Sequence, residues 1–246
     1  MMHSLPGKSW GIPADILHFP TNLAYLSGLL YGLVLSMMFT LIPLYLLDLG
    51  YGAAEVGIVI STQGILQVLL QFGGGVISDR FGERIVLGFS FFAIGLSVVL
   101  ILISPAFVLL LVAQLLIGAS RSVYWIAGQS YVSRSIEGKS GVVLGRLLSF
   151  ESSGLALGGV LAGIQAATLG YSLSFLTCGI LCGLGALAVL ILPELPRARM
   201  ASSLRDSMAP VPSLLRSKPI LMAAVVAVAA SISAAPVTTI YPVYYT

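Results

Sequence analysis

The sequence predicts an all-α integral membrane protein. Of its 246 residues, 58% are hydrophobic and only 9% are charged, and the mean hydropathy is +1.03. Soluble domains carry about a quarter charged residues, so this composition excludes a soluble globular domain. The apolar segments lack the period-2 alternation of a transmembrane β-strand, and helices are therefore the spanning structure that fits.

Seven apolar segments are long enough to cross a bilayer, which takes about 20 helical residues. They are residues 22–47, 53–77, 85–103, 106–132, 141–167, 170–192 and 219–246. We predict that residues 1–192 form a six-helix transmembrane bundle. Residues 193–218 are polar, basic and contain proline, so we expect a cytoplasmic linker there, followed by a seventh helix at 219–246.

The basic residues predict the orientation of these spans. Every Lys and Arg except Arg121 falls in the N-terminus or in and near the connections that follow spans two, four and six. The positive-inside rule makes that side cytoplasmic. We therefore expect a multi-pass protein of the cytoplasmic membrane with its N-terminus inside the cell.

An internal repeat links the first and seventh spans. Thr40–Tyr45 (TLIPLY) matches Thr239–Tyr244 (TIYPVY), each near the end of a span of the same orientation. Parallel repeats require this arrangement. We interpret the seventh span as the first helix of an incomplete second bundle, and the chain as a fragment. A natural seven-helix protein is the alternative.

A charged turn, residues 75–84 (GVISDRFGER), lies between spans two and three. In spacing and position it resembles the signature of the major facilitator superfamily, Gly-x-x-x-Asp-Arg/Lys-x-Gly-Arg-Arg/Lys. The residues that match this signature in register are Gly75, Asp79, Arg80, Gly82 and Arg84. Glu83 departs from it, because the family usually has a basic residue there.

The resemblance implies a major-facilitator-type six-helix bundle plus the first helix of a second repeat. It also implies a secondary active transporter that moves a small solute by alternating access, and not an enzyme. In that family the matching cluster is a conformational latch that holds the two halves together in the outward-open state. The alternative is that residues 75–84 form only an anchoring turn that obeys the positive-inside rule.

Span four carries a polar and aromatic stripe at helical spacing. Arg121 is the only basic residue inside a span, and a charge at that depth costs several kcal/mol unless it meets polar partners or water. We predict that the stripe lines the substrate cavity and that Arg121 binds an anionic group on the substrate or a buried acid. The residues assigned to this cavity are Gln114, Arg121, Trp125 and Gln129. A purely structural ion pair of Arg121 is the alternative.

Other spans hold further candidates. Glu151 is the only acid more than a few residues from the end of a span, and a desolvated carboxyl group suits proton coupling; pairing with Arg146 or another basic residue is an equal alternative. In span two, Gln63, Gln67 and Gln71 recur every four residues and either bond to neighbouring helices or line the cavity. Glycines at i and i+4 in span five predict close helix contact.

The sequence also narrows the function classes. It has no phosphate-binding loop, metal cluster or Ser/His/Asp set, so we expect no enzyme activity, cofactor, metal site or nucleic-acid partner. The expected partners are a small-molecule solute, protons and the lipid bilayer, and proton-coupled efflux is one form this transport takes. A polytopic scaffold or a half-size transporter that dimerises, without independent transport activity, is the alternative. Substrate, direction, coupling ion and oligomeric state stay open.

Overall fold

The computed structural model describes residues 14–71, 78, 80–135, 140–195 and 222, and this part of the chain is helical with short connections. Its long helices are α1 (Ala14–Asp48), α2 (Ala53–Gln71), α3 (Glu83–Ile103), α4 (Phe107–Ser135), α5 (Ser140–Leu169) and α6 (Tyr171–Ile191). Each contains a stretch long and apolar enough to cross a membrane. The first six predicted spans are thereby confirmed. The predicted seventh span lies outside the described residues except for Met222, and so do most of the linker, Gly75 and Asp79.

Glycines with positive φ allow the chain to reverse between helices. Gly50 follows α1 with φ of 86°, Gly82 precedes α3 with φ of 89°, and Gly170 precedes α6 with φ of 81°. An L side chain is rarely tolerated in this region of φ. These glycines allow the chain to change direction next to the helix ends.

The packing order divides the bundle into two triplets, α1–α3 and α4–α6. Helix α1 packs mainly on α5 and α6, while α4 packs mainly on α2 and α3; α3 and α6 pack on each other. Exchanging α1 with α4, α2 with α5 and α3 with α6 leaves this pattern unchanged. Because each triplet crosses the membrane an odd number of times, the second begins from the opposite side. The bundle is therefore an inverted repeat of three plus three helices.

The third helices of the two triplets show the repeat most clearly. Helices α3 and α6 each have 21 residues, and each follows a glycine of positive φ. Those glycines, Gly82 and Gly170, are 88 positions apart (170 − 82). The same offset relates Gln63 of α2 to Glu151 of α5.

Close glycine contacts set the distances between the paired helices. A Cβ atom on Gly32 of α1 would overlap the backbone carbonyl of Glu151 on α5, and one on Gly118 of α4 would overlap that of Gln63 on α2. On α5, Gly154 and Gly158 lie equally close to the α1 backbone. The close packing predicted for the glycines of span five is confirmed for Gly154 and Gly158, whereas a Cβ on Gly163 would meet nothing within 4 Å.

An aromatic and hydroxyl cluster forms the centre of the bundle. The rings of Tyr31 and Tyr124 stack with centroids 3.6 Å apart and planes 4° from parallel, and Phe91 meets both edge-on. Tyr31 Oη and Ser120 Oγ share a hydrogen bond of 2.9 Å, and Ser120 Oγ donates to the carbonyl of Ser90 at 2.8 Å. These contacts join α1, α3 and α4 at the level of the middle of α4.

Candidate functional site

The predicted cytoplasmic end of the bundle holds an ion pair between α3 and α4. Glu83, the first residue of α3, is buried, and its carboxylate pairs with the Arg134 guanidinium in the last turn of α4. Ser130 Oγ donates a second hydrogen bond of 3.0 Å to the same carboxylate oxygen. This pair supplies a reason for the departure of Glu83 from the family signature: the acid is matched by a basic residue on the neighbouring helix.

The next residue, Arg84, points to a different helix. Its guanidinium donates to the backbone carbonyl of Leu190 in the last turn of α6 and lies 3.8 Å from the carboxylate of Glu194. Tyr131 Oη also donates to the carbonyl of Pro193 at 3.1 Å. Two consecutive charged residues thus tie the start of α3 to the ends of α4 and α6, close to where the predicted linker begins.

The latch assigned to residues 75–84 stays a prediction. Gly75 and Asp79 lie outside the described residues. Arg80 is exposed, with its guanidinium carbon 5.9 Å from the centroid of the Phe81 ring. Gly82 adopts the turn conformation expected of it, and the contacts of Arg84 given by the structure lie within the first bundle.

Arg121 lies at the midpoint of α4, fourteen residues (121 − 107 and 135 − 121) from each end. At 1.5 Å per residue, that is about 21 Å from either end of the helix. Its guanidinium carbon lies 5.3 Å from the centroid of the Phe39 ring on α1, within the range of a cation–π contact. Sequence reasoning missed Phe39, because nothing in the apolar run around it distinguishes it from a packing residue.

Arg121 and Glu151 act on each other across the bundle. Glu151 lies eleven residues (151 − 140) after the start of α5 and is only 5% exposed. The charge of Arg121 acts on its carboxyl group, and both charges also act on the Tyr31 hydroxyl. Arg146, the alternative partner, lies beside Tyr25 instead. Both membrane-embedded charges therefore lie beside α1: the Glu151 backbone lies against Gly32 and the Arg121 guanidinium lies over Phe39, with no direct salt bridge between the two among the described residues.

The other members of the α4 stripe differ in their environment. Gln114 is buried, Gln129 is half-buried, and Trp125 is 45% exposed. Arg121 is half-buried, and Trp125 follows one turn further along the helix. The assignment of the whole stripe to a substrate cavity stays a prediction.

Gln63 on α2 stands out among the uncharged polar side chains. It lies against Gly118, and its Oε1 atom is buried with no hydrogen-bond partner among the described residues. The spacing of Gln63, Gln67 and Gln71 had marked this helix as polar on one side. Spacing alone could not distinguish the glutamine that meets the middle of α4 from its neighbours.

Comparison with known proteins gives a family and a distant relative. The family model described as Major Facilitator Superfamily matches residues 24–246. Over 135 residues, the chain is 28% identical to a protein of Cupriavidus pinatubonensis named as a probable 4-methylmuconolactone transporter. That alignment covers 55% of this chain and 31% of the relative, so the match spans about a third of the relative's length.

Proposed function

The chain belongs to the major facilitator superfamily, a family of membrane transporters, and on that premise we propose that it moves a small organic anion by alternating access. It is a multi-pass membrane protein. In our proposal Arg121 binds the anionic group of the solute, and Glu151 carries a proton in the same cycle. The name of the distant relative supports a small organic solute.

The observation that carries this proposal is the environment of Arg121. A guanidinium offers five hydrogen-bond donors in a fixed plane, which suits a carboxylate. Among the described residues, the Arg121 guanidinium contacts the Phe39 ring, and the charge of Glu151 lies further away. A cation in the middle of a membrane helix is costly unless it faces water or a partner. An anion that enters from a water-filled cavity supplies that partner.

Charge balance then couples the anion to a proton. With the site empty, ionised Glu151 offsets the charge of Arg121. When a carboxylate binds Arg121, the site holds two negative charges and one positive charge in a medium of low dielectric constant, which favours protonation of Glu151. The anion and the proton therefore load together. Joint loading favours symport of the anion and the proton over their exchange. The proton-coupled efflux considered from the sequence is therefore the less favoured form of transport.

Variants of Arg121 test the proposal. We would measure uptake of radiolabelled carboxylates, with the corresponding neutral amides as controls, in proteoliposomes of the parent, Arg121→Ala, Arg121→Lys and Arg146→Ala. We expect Arg121→Ala to lose at least about tenfold in carboxylate uptake, since a charged hydrogen bond contributes about 1.5–3 kcal/mol. Arg121→Lys should keep part of the activity and Arg146→Ala most of it. Full activity in both Arg121 variants would overturn the anion-binding role.

A further inference from the structure

We infer that the Gln63 amide is a second substrate ligand, and that the preferred solutes are small carboxylates with an additional hydroxyl group, which can donate to the amide oxygen. This inference rests on the proposed function, because it places Gln63 beside the anion-binding Arg121. It adds a specificity-determining residue and a narrower substrate class. Three features of Gln63 support it: its place in the inverted repeat, its contact with α4 and its unpartnered amide oxygen.

The inverted repeat makes Gln63 the counterpart of Glu151. Gly32 of α1 lies against the backbone of Glu151, and Gly118 of α4 lies against the backbone of Gln63 in the same way. The first contact holds Glu151 of α5 against α1, and the second holds Gln63 of α2 against α4. Glu151 and Gln63 therefore occupy equivalent positions on opposite sides of that central pair.

The two sides differ in charge. Three residues after Gly118 the second triplet has Arg121, whereas three residues after Gly32 the first triplet has Leu35. Helices α4 and α5 thus supply both charges, Arg121 and Glu151, while the equivalent positions of α1 and α2 hold Leu35 and Gln63. A site built this way binds an anionic group through one triplet and offers a neutral amide from the other.

Gln63 packs on α4 one helical turn from Arg121. Residues three apart on a helix are neighbours on its surface, so the glycine against which Gln63 packs adjoins Arg121. Because Gly118 has no side chain, α2 approaches close enough for the Gln63 backbone to touch the α4 backbone. The Gln63 backbone thus lies against α4 within one helical turn of Arg121.

The Gln63 amide is poised for a ligand. Its Oε1 atom is buried and lacks a hydrogen-bond partner among the described residues. A buried polar atom without a partner is costly, and a bound group that supplies the missing hydrogen bond removes that cost. A carboxylate with a hydroxyl group can satisfy Arg121 and Gln63 together. A carboxylate without a second polar group leaves the amide unpartnered.

The test measures binding through tryptophan fluorescence. In a Trp10→Phe background, Trp125 is the remaining tryptophan, and it is exposed one turn from Arg121. The full chain in nanodiscs would be titrated with two matched pairs, lactate with propanoate and 3-hydroxybutanoate with butanoate. We expect the parent to bind the hydroxylated member of each pair about tenfold more tightly, the effect of one satisfied hydrogen bond.

Variants of Gln63 should remove the preference while they keep carboxylate binding. Gln63→Met preserves length and suits a membrane helix, and Gln63→Ala is the second variant in case Met disturbs the packing. In both, the two members of a pair should bind within about twofold of each other. The control is Gln165→Leu. Gln165 on α5 also has a buried Oε1 without a partner among the described residues. It lies four residues (169 − 165) before the end of its helix and therefore far from the middle of the bundle. It should keep the parent's preference.

The outcomes separate this inference from the proposed function. A parent that binds carboxylates without preferring the hydroxylated member overturns the inference alone. So does a Gln63→Met or Gln63→Ala variant that keeps the full preference. If no carboxylate changes the Trp125 emission, or if binding is unchanged in Arg121→Ala, the proposed function itself fails.

Discussion

The carboxylate of Glu83 pairs with the guanidinium of Arg134, and this contact joins the first residue of α3 to the last turn of α4. The pair is asymmetric, because the Glu83 side chain is 5% exposed and that of Arg134 is 29% exposed. Removal of the more exposed partner therefore leaves the more deeply buried charge unmatched. That asymmetry distinguishes a structural ion pair from a surface contact of little energetic effect.

We expect Arg134→Ala to destabilise the protein by about 2–4 kcal/mol, because it leaves a buried carboxylate without its partner. Glu83→Gln should cost only about 1 kcal/mol, since the amide oxygen still accepts from Ser130 and Arg134. Thermal unfolding of the purified chain in detergent measures both. Ser133→Ala, in the same turn of α4, is the control and should change stability by less than about 0.5 kcal/mol. Equal losses in the two variants would contradict the asymmetry.

The equivalent glycines of the two triplets give the second prediction. Gly32→Ala and Gly118→Ala each place a Cβ on a backbone carbonyl, so the paired helices must separate. We expect each variant to lose about 1–3 kcal/mol, as overpacked cores do. Gly64→Ala is the matched control, because a Cβ there meets nothing within 4 Å. Size-exclusion profiles and melting temperatures would report the difference, and a Gly118→Ala protein as stable as Gly64→Ala would refute the close contact of α2 with α4.

The third prediction concerns proton coupling by Glu151. Carboxylate uptake by the parent should rise as pH falls, by up to about tenfold per pH unit for one coupled proton, because the protonated carboxyl accompanies the bound anion. Glu151→Gln cannot exchange a proton, so its uptake should change by less than about twofold over the same range. Glu55→Gln removes an exposed acid at the start of α2 and should behave as the parent does. Unchanged pH dependence in Glu151→Gln would exclude the coupling role.

The fourth prediction tests the orientation derived from the basic residues. Cys178 and Cys182 are free and buried, so replacing both with Ser provides a background for single new cysteines. Ser104→Cys, between α3 and α4, should react with a membrane-impermeant maleimide in intact cells. Lys139→Cys, in the connection after span four, should react only after permeabilisation. The reverse labelling pattern would invert the topology.

Several features of the fold followed from the sequence because they depend on local properties. The length and apolar character of a segment decide whether it spans a membrane, and six of the predicted spans are present as helices in the described chain. The glycine spacing of α5 predicted close packing for a similar reason, since Gly154 and Gly158 recur on one side of the helix. The signature at 75–84 gave the family, which the family model matches over residues 24–246.

The candidate site was only partly predictable. Arg121 and Glu151 were identified because charges inside spans are rare, yet the sequence left Arg146 as an equal partner for Glu151. In the structure Arg146 lies beside Tyr25, and the role of Glu151 stays a prediction. Phe39 was not identified, because its neighbours in sequence are equally apolar. Gln63 was a candidate only as one of three equally spaced glutamines, with interhelical bonding as the alternative to cavity lining.

The sequence by itself determined which segments enter the membrane, because the free energy of transfer into lipid is a sum over the residues of each segment. It also determined which charges must be accommodated there. The tertiary structure decided which side chains meet, since the glycines at 32 and 118 set how closely α5 and α2 approach the central helices. Those two crossings place Glu151 on one side of the α1–α4 pair and Gln63 on the other. Such an arrangement arises from the relative rotation of helices, which no single segment encodes.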